Sequence, residues 1–181
     1  NMMFRDPGIK AIIALRGGSG SARILDKLDY QAIRKNPKIF VGYSDITALH
    51  LAIFNKTGLV TFHGPVAVST WNSYSYDYFK KLLFDAELLT YSNPEYKGTQ
   101  LTQTSNRIRT ITPGTSKGQL LGGNLSVLTS IMGTPYFPKN WKNKILGFQP
   151  IAIPVHSEKN VNAPAPIRPE AVRPQNVEVK N

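Results

Sequence analysis

The chain has 181 residues, of which 41% are hydrophobic and 18% charged, a composition typical of a globular domain rather than a disordered or collagenous chain. It contains no cysteine, which excludes a disulfide framework, a cysteine-ligated metal site and a thiol nucleophile. The formal charge is +11, but the basic residues stand singly or in pairs, so we interpret them as a solvated face rather than a nucleic-acid site. No apolar run reaches the roughly 18 residues that span a bilayer, so no membrane association is expected.

Strands and helices alternate at short spacings in the first third of the chain. The predicted order is strand Ile9–Leu15, a glycine-rich turn, helix Ala22–Leu28, strand Lys38–Tyr43, helix Asp45–Lys56 and strand Leu59–Phe62. The first strand is nearly all apolar, which is typical of a strand buried on both faces of a sheet. We therefore predict an α/β fold with an open, mostly parallel sheet and flanking helices.

The character of the sequence changes twice after the third strand. An aromatic helix over Trp71–Leu89 precedes a polar loop or short extended strands at Tyr91–Lys117, and a further helix is predicted for Gly118–Met132. The segment 147–181 holds six of the 13 prolines and predicts an extended or disordered tail. We accordingly divide the chain into an α/β domain at 1–90, a crossover at 91–146 and the tail.

The most informative motif is the passage from the second strand into the second helix. Gly42-Tyr43-Ser44 forms a predicted sharp strand-to-helix turn, which would hold the Ser44 hydroxyl at the sheet edge as a candidate nucleophile. The amide of Asp45, at the start of the helix, would then face a developing oxyanion. The second glycine of the common motif is replaced by Ile46, so a simple helix cap at Ser44 is an equal alternative.

A glycine-rich loop, Gly17–Gly20, offers a second set of backbone amides at a helix start. These amides could complete an oxyanion hole or bind a phosphate, and a plain tight turn is the competing interpretation. The loop does not fit a dinucleotide fingerprint, because Arg23 stands where the third glycine is required.

The three histidines give no clear general base. His50 lies on the helix after Ser44 and is interpreted as structural, and His156 in the tail has no positional support. His63 lies at a strand end, where sites gather in such sheets, although a hydrogen-bonded loop histidine is the favoured interpretation. Residue spacing alone identifies neither the base nor its carboxylate partner.

Five motifs, in order, resemble the LD-carboxypeptidase family, which includes muramoyl-tetrapeptide carboxypeptidases and microcin C self-immunity peptidases. They are Phe4-Arg5-Asp6-Pro7-Gly8-Ile9-Lys10-Ala11-Ile12, Arg16-Gly17-Gly18-Ser19-Gly20-Ser21-Ala22-Arg23, Gly42-Tyr43-Ser44-Asp45-Ile46-Thr47-Ala48-Leu49, Thr57-Gly58-Leu59-Val60-Thr61-Phe62-His63-Gly64-Pro65, and Leu121-Gly122-Gly123-Asn124-Leu125 with Gly133-Thr134-Pro135-Tyr136. The likeness covers about residues 3–146, and we expect the tail to be unrelated.

The resemblance implies a serine peptidase with a Ser-His-Glu triad that cleaves the amide before a terminal D-amino acid of cytoplasmic murein peptides. Ser44 matches the nucleophile of the family, and the amides of Asp45 and Gly18 match its oxyanion hole. No cofactor or metal is expected, and a homodimer is a family-level expectation.

The resemblance also implies that parts of the family pattern have no counterpart here. The first strand and helix, before Phe4, are expected to be missing, as are the Glu and His of the C-terminal catalytic domain. We therefore expect weak or no activity from this chain alone, because a triad without its base loses several orders of magnitude in rate. The alternative is a non-catalytic peptide-binding remnant or fusion product. A phosphate- or nucleotide-binding domain ranks last.

Overall fold

Two three-stranded sheets carry the fold in a computed structural model that describes residues 1–92 and 110–148 and the backbone of 177–180. The strands are β1 (Ala11–Ile13), β2 (Ile39–Gly42), β3 (Phe62–His63), β4 (Thr115–Gly123), β5 (Lys144–Phe148) and β6 (Val177–Lys180). The helices are α1 (Met2–Arg5), α2 (Tyr30–Lys35), α3 (Thr47–Thr57), α4 (Ser73–Leu83) and α5 (Leu125–Ser130), with 3₁₀ segments at Ser21–Lys27 and Ser44–Ile46.

The first sheet has the order β1-β2-β3 and is parallel throughout. Ala11 pairs with Ile39, and Val41 pairs with Phe62. The predicted α/β fold with a parallel sheet is thereby confirmed. The expectation that the first strand is buried on both faces is wrong, because β1 lies at the edge of the described sheet and Ile13 is 40% exposed.

Helix α3 lies at the centre of the hydrophobic core. Its residues Ala48, Leu51 and Ala52 are fully buried and pack against Leu25 and against apolar side chains of β4 and α5, while its Ile53 belongs to a second cluster with residues of β2. A helix that is buried on several faces cannot have a strongly polar side, which explains its apolar sequence. The helix ends at Gly58, whose φ of 76° and N–H bond to the Phe54 carbonyl form the predicted C-cap.

The second sheet has the order β5-β4-β6, with β4 parallel to β5 and antiparallel to β6. The predicted helix over Gly118–Met132 is therefore wrong in its first half, and only Leu125–Ser130 is α-helical. Gly122 and Gly123 have φ values of 154° and 135°, which side chains rarely adopt and which a helix does not contain. Leu121 pairs with Leu146 in the parallel ladder between β4 and β5.

The predicted disordered tail is corrected at its two ends. Residues 147–148 complete β5, and Val177–Lys180 forms β6 against β4. Residues 149–176 and 181 lie outside the described part of the chain, as do 93–109 of the predicted polar loop. The division into domains stays a prediction.

Three helical segments differ in detail from the predictions. The aromatic helix is shorter than predicted, running from Ser73 to Leu83, and the Asn72 side chain caps it by accepting a hydrogen bond from the Ser75 amide at 2.8 Å. The predicted helix at Ala22–Leu28 is a 3₁₀ segment, and α2 is an additional helix that the sequence pattern did not predict.

Candidate functional site

Ser44 occupies the sharp turn between β2 and α3. Tyr43 is extended, whereas Ser44 has a φ of 62° and begins the short 3₁₀ segment that leads into α3. A positive φ at a non-glycine residue costs about 1–3 kcal/mol and concentrates at functional sites. The structure thus confirms the strand-turn-helix geometry at Ser44, and the backbone strain goes beyond what a helix cap requires.

Gly42 makes this turn sterically feasible. A Cβ atom at Gly42 would lie 2.8 Å from Ile46 Cγ2 and 3.1 Å from Ala14 Cβ. Ile46 is buried and packs directly against the bare glycine backbone. The isoleucine at the position of the second glycine is therefore compatible with the turn, because Gly42 supplies the space.

The glycine-rich loop lies against the Ser44 side chain. A Cβ atom at Gly17 would be 3.0 Å from Ser44 Cβ and 3.4 Å from Ser44 Oγ, so the loop backbone is in contact with the hydroxyl-bearing side chain. Gly18 and Gly20 have φ values of 146° and 107°. The structure brings the predicted loop and the predicted nucleophile together. The oxyanion-hole role of the Asp45 and Gly18 amides stays a prediction.

The Asp45 side chain ties the loop to the turn. Its carboxylate is buried, and Oδ2 accepts a hydrogen bond from the Ser21 amide at 2.9 Å. Because Ser21 begins the 3₁₀ segment after the loop, this bond fixes the end of the loop relative to Ser44. Sequence reasoning used only the backbone of Asp45 and missed this contact, which joins residues 24 positions apart.

His50 is structural, as predicted, and it stabilises the turn through a hydrogen bond to the Gly42 backbone. Its Nε2 donates to the Gly42 carbonyl at 2.9 Å, and its Nδ1 accepts from the Thr61 hydroxyl at 2.8 Å. A carbonyl can only accept, so Nε2 carries a proton, and in the neutral ring Nδ1 is then the acceptor. Burial lowers the pKa of His50 to about 3, which keeps it neutral at physiological pH.

His63 lies at the end of β3, as predicted, but it is not the hydrogen-bonded histidine that was expected. Both ring nitrogens are buried and have no hydrogen-bond partner among the residues that the structure describes. The ring stands edge-on to Tyr43, at 6.5 Å between centroids, and 5.9 Å from the His50 ring. Burial lowers the pKa of His63 to about 4.

Within the described residues no side chain acts as a base on Ser44. The Ser44 hydroxyl has no hydrogen-bond partner there, since His50 is bonded elsewhere and His63 bonds to nothing. His156 lies outside the described part. Ranges 1–92 and 110–148 also contain no cluster of three His, Cys, Asp or Glu residues that could hold a metal ion. No helix in this part is long and apolar enough to cross a membrane.

The Gly122-Gly123-Asn124 motif of the second half docks onto the first turn of α3. The Asn124 amide donates to Thr47 Oγ1 at 2.9 Å, and a Cβ atom at Gly123 would lie only 2.5 Å from the same oxygen. The Asn124 side chain in turn caps α5 by accepting from the Val127 amide. The crossover is thus attached by a hydrogen bond to Thr47 of α3, three residues after Ser44 in the chain.

Two family models match this chain. The model of the LD-carboxypeptidase N-terminal domain matches residues 1–64, which include Ser44 and the glycine-rich loop. The model of the LD-carboxypeptidase C-terminal domain matches residues 117–157, and so extends beyond residue 146, where the motifs end.

Similar curated proteins carry related names. The chain is 44% identical over 138 residues to the "Probable murein peptide carboxypeptidase" of Bacillus subtilis, an alignment that covers 74% of this chain and 40% of that protein. It is 34% identical over 168 residues to the microcin C7 self-immunity protein MccF of Escherichia coli, covering 81% of this chain and 48% of MccF.

Solved structures show the same fold. The apo structure of an inactive MccF mutant superimposes with a TM-score of 0.68 at 33% identity, covering 82% of this chain and 50% of that one. The muramoyltetrapeptide carboxypeptidase of Oxalobacter formigenes gives a TM-score of 0.58 at 28% identity, covering 76% and 44%. The chain spans half or less of the length of these relatives.

Proposed function

The chain belongs to the LD-carboxypeptidase family, and we propose that it supplies the nucleophilic part of a serine peptidase site that acts on murein tetrapeptides. The observation that carries this proposal is the strained turn at Ser44, with the glycine-rich loop packed against its side chain. The name of the B. subtilis relative supports murein peptides as the substrate class.

In the proposed reaction, Ser44 Oγ attacks the carbonyl carbon of the amide before the terminal D-amino acid. The Ser44 proton passes to a base, and the carbonyl oxygen becomes an oxyanion that the amides of Asp45 and Gly18 stabilise. Collapse of this intermediate breaks the C–N bond, and the amine leaves as the free D-amino acid after taking up a proton. Water then hydrolyses the acyl-serine and restores the hydroxyl.

The base for this step lies outside the residues that the structure describes. Ser44 has no partner among them, and the pKa values of His50 and His63 are lowered by burial, which makes both poor proton acceptors. The family resemblance implies that the triad His and Glu belong to a second, C-terminal domain. We therefore propose that the described residues alone turn the substrate over several orders of magnitude more slowly than a site with a complete triad.

A two-part experiment tests the proposal on the full chain. First, the chain is treated with a fluorophosphonate, and peptide mapping by mass spectrometry locates the modified serine. The labelled residue is expected to be Ser44, with no label in Ser44→Ala and normal labelling in Ser126→Ala, an exposed serine on α5. Second, release of D-alanine from muramoyl tetrapeptide is followed over hours. Release at equal rates by wild type and Ser44→Ala, or labelling elsewhere, contradicts the proposal.

The second candidate is a non-catalytic murein-peptide-binding protein. The absence of a base on Ser44 in the described residues favours it. Calorimetric binding of the tetrapeptide without any Ser44-dependent release of D-alanine would support this candidate over slow hydrolysis.

A further inference from the structure

We propose that Arg16 binds the terminal carboxylate of the substrate and so makes the site selective for peptides that end in a free acid. This inference rests on the proposed function and deepens it, because it names the substrate group that the glycine-rich loop recognises.

Arg16 lies over the part of the loop that contacts the nucleophile. Its Nε donates to the Gly17 carbonyl at 3.3 Å, and its Nη2 lies 3.8 Å from the position of a Cβ atom at Gly18. Gly17 itself is the residue whose Cβ position lies 3.0 Å from Ser44 Cβ. The guanidinium group is therefore held one residue from the point where the loop touches Ser44.

The charge of Arg16 is available for a ligand. The side chain is exposed, and the ion pairs between described residues are Arg5–Asp29 and Lys80–Asp85, neither of which involves it. The acidic side chain nearest in sequence to Ser44, Asp45, is buried and accepts from the Ser21 amide instead. With Nε occupied, the two Nη groups keep the parallel donors that match a carboxylate in a bidentate pair.

The substrate of the proposed reaction carries a group that this charge fits. The leaving group is a single amino acid, so its carboxylate is separated from the scissile nitrogen by one carbon. Because Arg16 adjoins Gly17, the residue that contacts Ser44, its guanidinium is the charged group that we assign to this carboxylate. A cation at this place strengthens the binding of a peptide that ends in a carboxylate, and it forms no ion pair with a peptide that ends in an amide.

Binding of two peptides to the full chain tests the inference. Muramoyl tetrapeptide with a free C-terminal D-alanine and the same peptide with a D-alanine amide are titrated calorimetrically into Ser44→Ala, which prevents turnover. The free acid is expected to bind about tenfold more tightly or better, as for a charge-assisted bidentate contact. Arg16→Gln, added to Ser44→Ala, should bring the ratio of the two Kd values to about one, and Arg16→Lys in the same background should keep part of the preference for the free acid. Arg23→Gln, which removes another exposed arginine after the loop, should keep the full preference.

Each result separates the inference from the proposed function. Equal binding of both peptides before any change at Arg16, or loss of preference in Arg23→Gln but not in Arg16→Gln, overturns the role of Arg16 while the labelling of Ser44 still stands. Binding of neither peptide overturns the proposed substrate class and the role of Arg16 together. Arg16→Gln should leave the thermal midpoint unchanged, because the side chain is exposed.

Discussion

Substituting Gly17 by alanine should separate the reactivity of Ser44 from the stability of the fold. The new Cβ atom would lie 3.0 Å from Ser44 Cβ and 3.4 Å from Oγ, so the loop or the serine must shift by a few tenths of an ångström. Crowding of this kind costs about 1–3 kcal/mol, and the loss of glycine freedom in the unfolded chain returns about 0.4–1 kcal/mol. The net loss of stability should be about 0–2.6 kcal/mol, while the Ser44 side chain is displaced from its position beside the loop.

The fluorophosphonate labelling rate of Ser44 is the assay, read beside a urea denaturation curve. We expect labelling in Gly17→Ala to slow by about tenfold or more, since an error near 1 Å at a reacting group costs about 10²-fold. Gly20→Ala is the matched control: its φ of 107° disfavours alanine, but the added Cβ atom meets nothing within 4 Å. That variant should lose stability and keep its labelling rate. Labelling of Gly17→Ala at the wild-type rate would refute the assigned contact between loop and nucleophile.

Two further predictions concern stability. The Cβ atom of Gly123→Ala would lie 2.5 Å from Thr47 Oγ1 at a φ of 135°, and this variant should lose about 3 kcal/mol or more of stability in urea denaturation. Gly58→Ala, with a φ of 76° and open space around the new Cβ atom, should lose only about 1 kcal/mol. Equal losses would show that the strain of the positive φ alone, and not the clash with Thr47, determines the loss of stability. His50 and His63 have pKa values lowered from 6.5 to about 3 and about 4, so the unfolded chain takes up protons first as the pH falls. The stabilisation that comes from neutral burial should be fully present above pH 6.5, and the free energy of unfolding should fall by about 1.4 kcal/mol per pH unit for each histidine as the pH drops from 6.5 towards the folded-state pKa values. His63→Gln should reduce that slope by about half. A free energy of unfolding that stays constant from pH 7.5 to 5 would contradict the neutral burial of the two histidines.

The geometry at Ser44 was predictable because its signals are local. An apolar strand, a glycine two residues before a serine, and a helix directly afterwards leave few ways to turn the chain. The effect of Ile46 was not predictable in the same way, because its compatibility depends on the space that Gly42 leaves in the folded turn. Local sequence therefore predicted the turn at Ser44, and packing explains why the turn accepts isoleucine at position 46.

The misassigned crossover shows the opposite case. The sequence of Gly118–Met132, taken alone, predicts one helix, yet residues 118–123 belong to β4. The strand is specified by pairing with residues about 25 positions further on and by the contact of Gly123 with Thr47. Neither contact leaves a periodic signal in the sequence, since both depend on residues that are distant in the chain.

Three separate segments hold the strained turn in place before any substrate binds. The Gly42 carbonyl accepts from His50 Nε2 and from the Gly64 amide, and the Asp45 carboxylate accepts from the Ser21 amide. Hydrogen bonds of this kind contribute about 0.5–1.5 kcal/mol each, enough together to offset the cost of a positive φ at Ser44.

None of these tethers involves a group that takes up the serine proton. The turn at Ser44 and the glycine-rich loop are thus preorganised by the residues described, whereas the proton transfer that we propose needs a base beyond them. It follows that adding a base in trans should raise the rate at which Ser44 attacks the fluorophosphonate, without a change in the fold. Imidazole in the buffer is the simplest such base. A labelling rate of Ser44 that rises with the concentration of neutral imidazole would support the inference that the described residues position Ser44 but lack its base. A labelling rate that does not change with imidazole would contradict it.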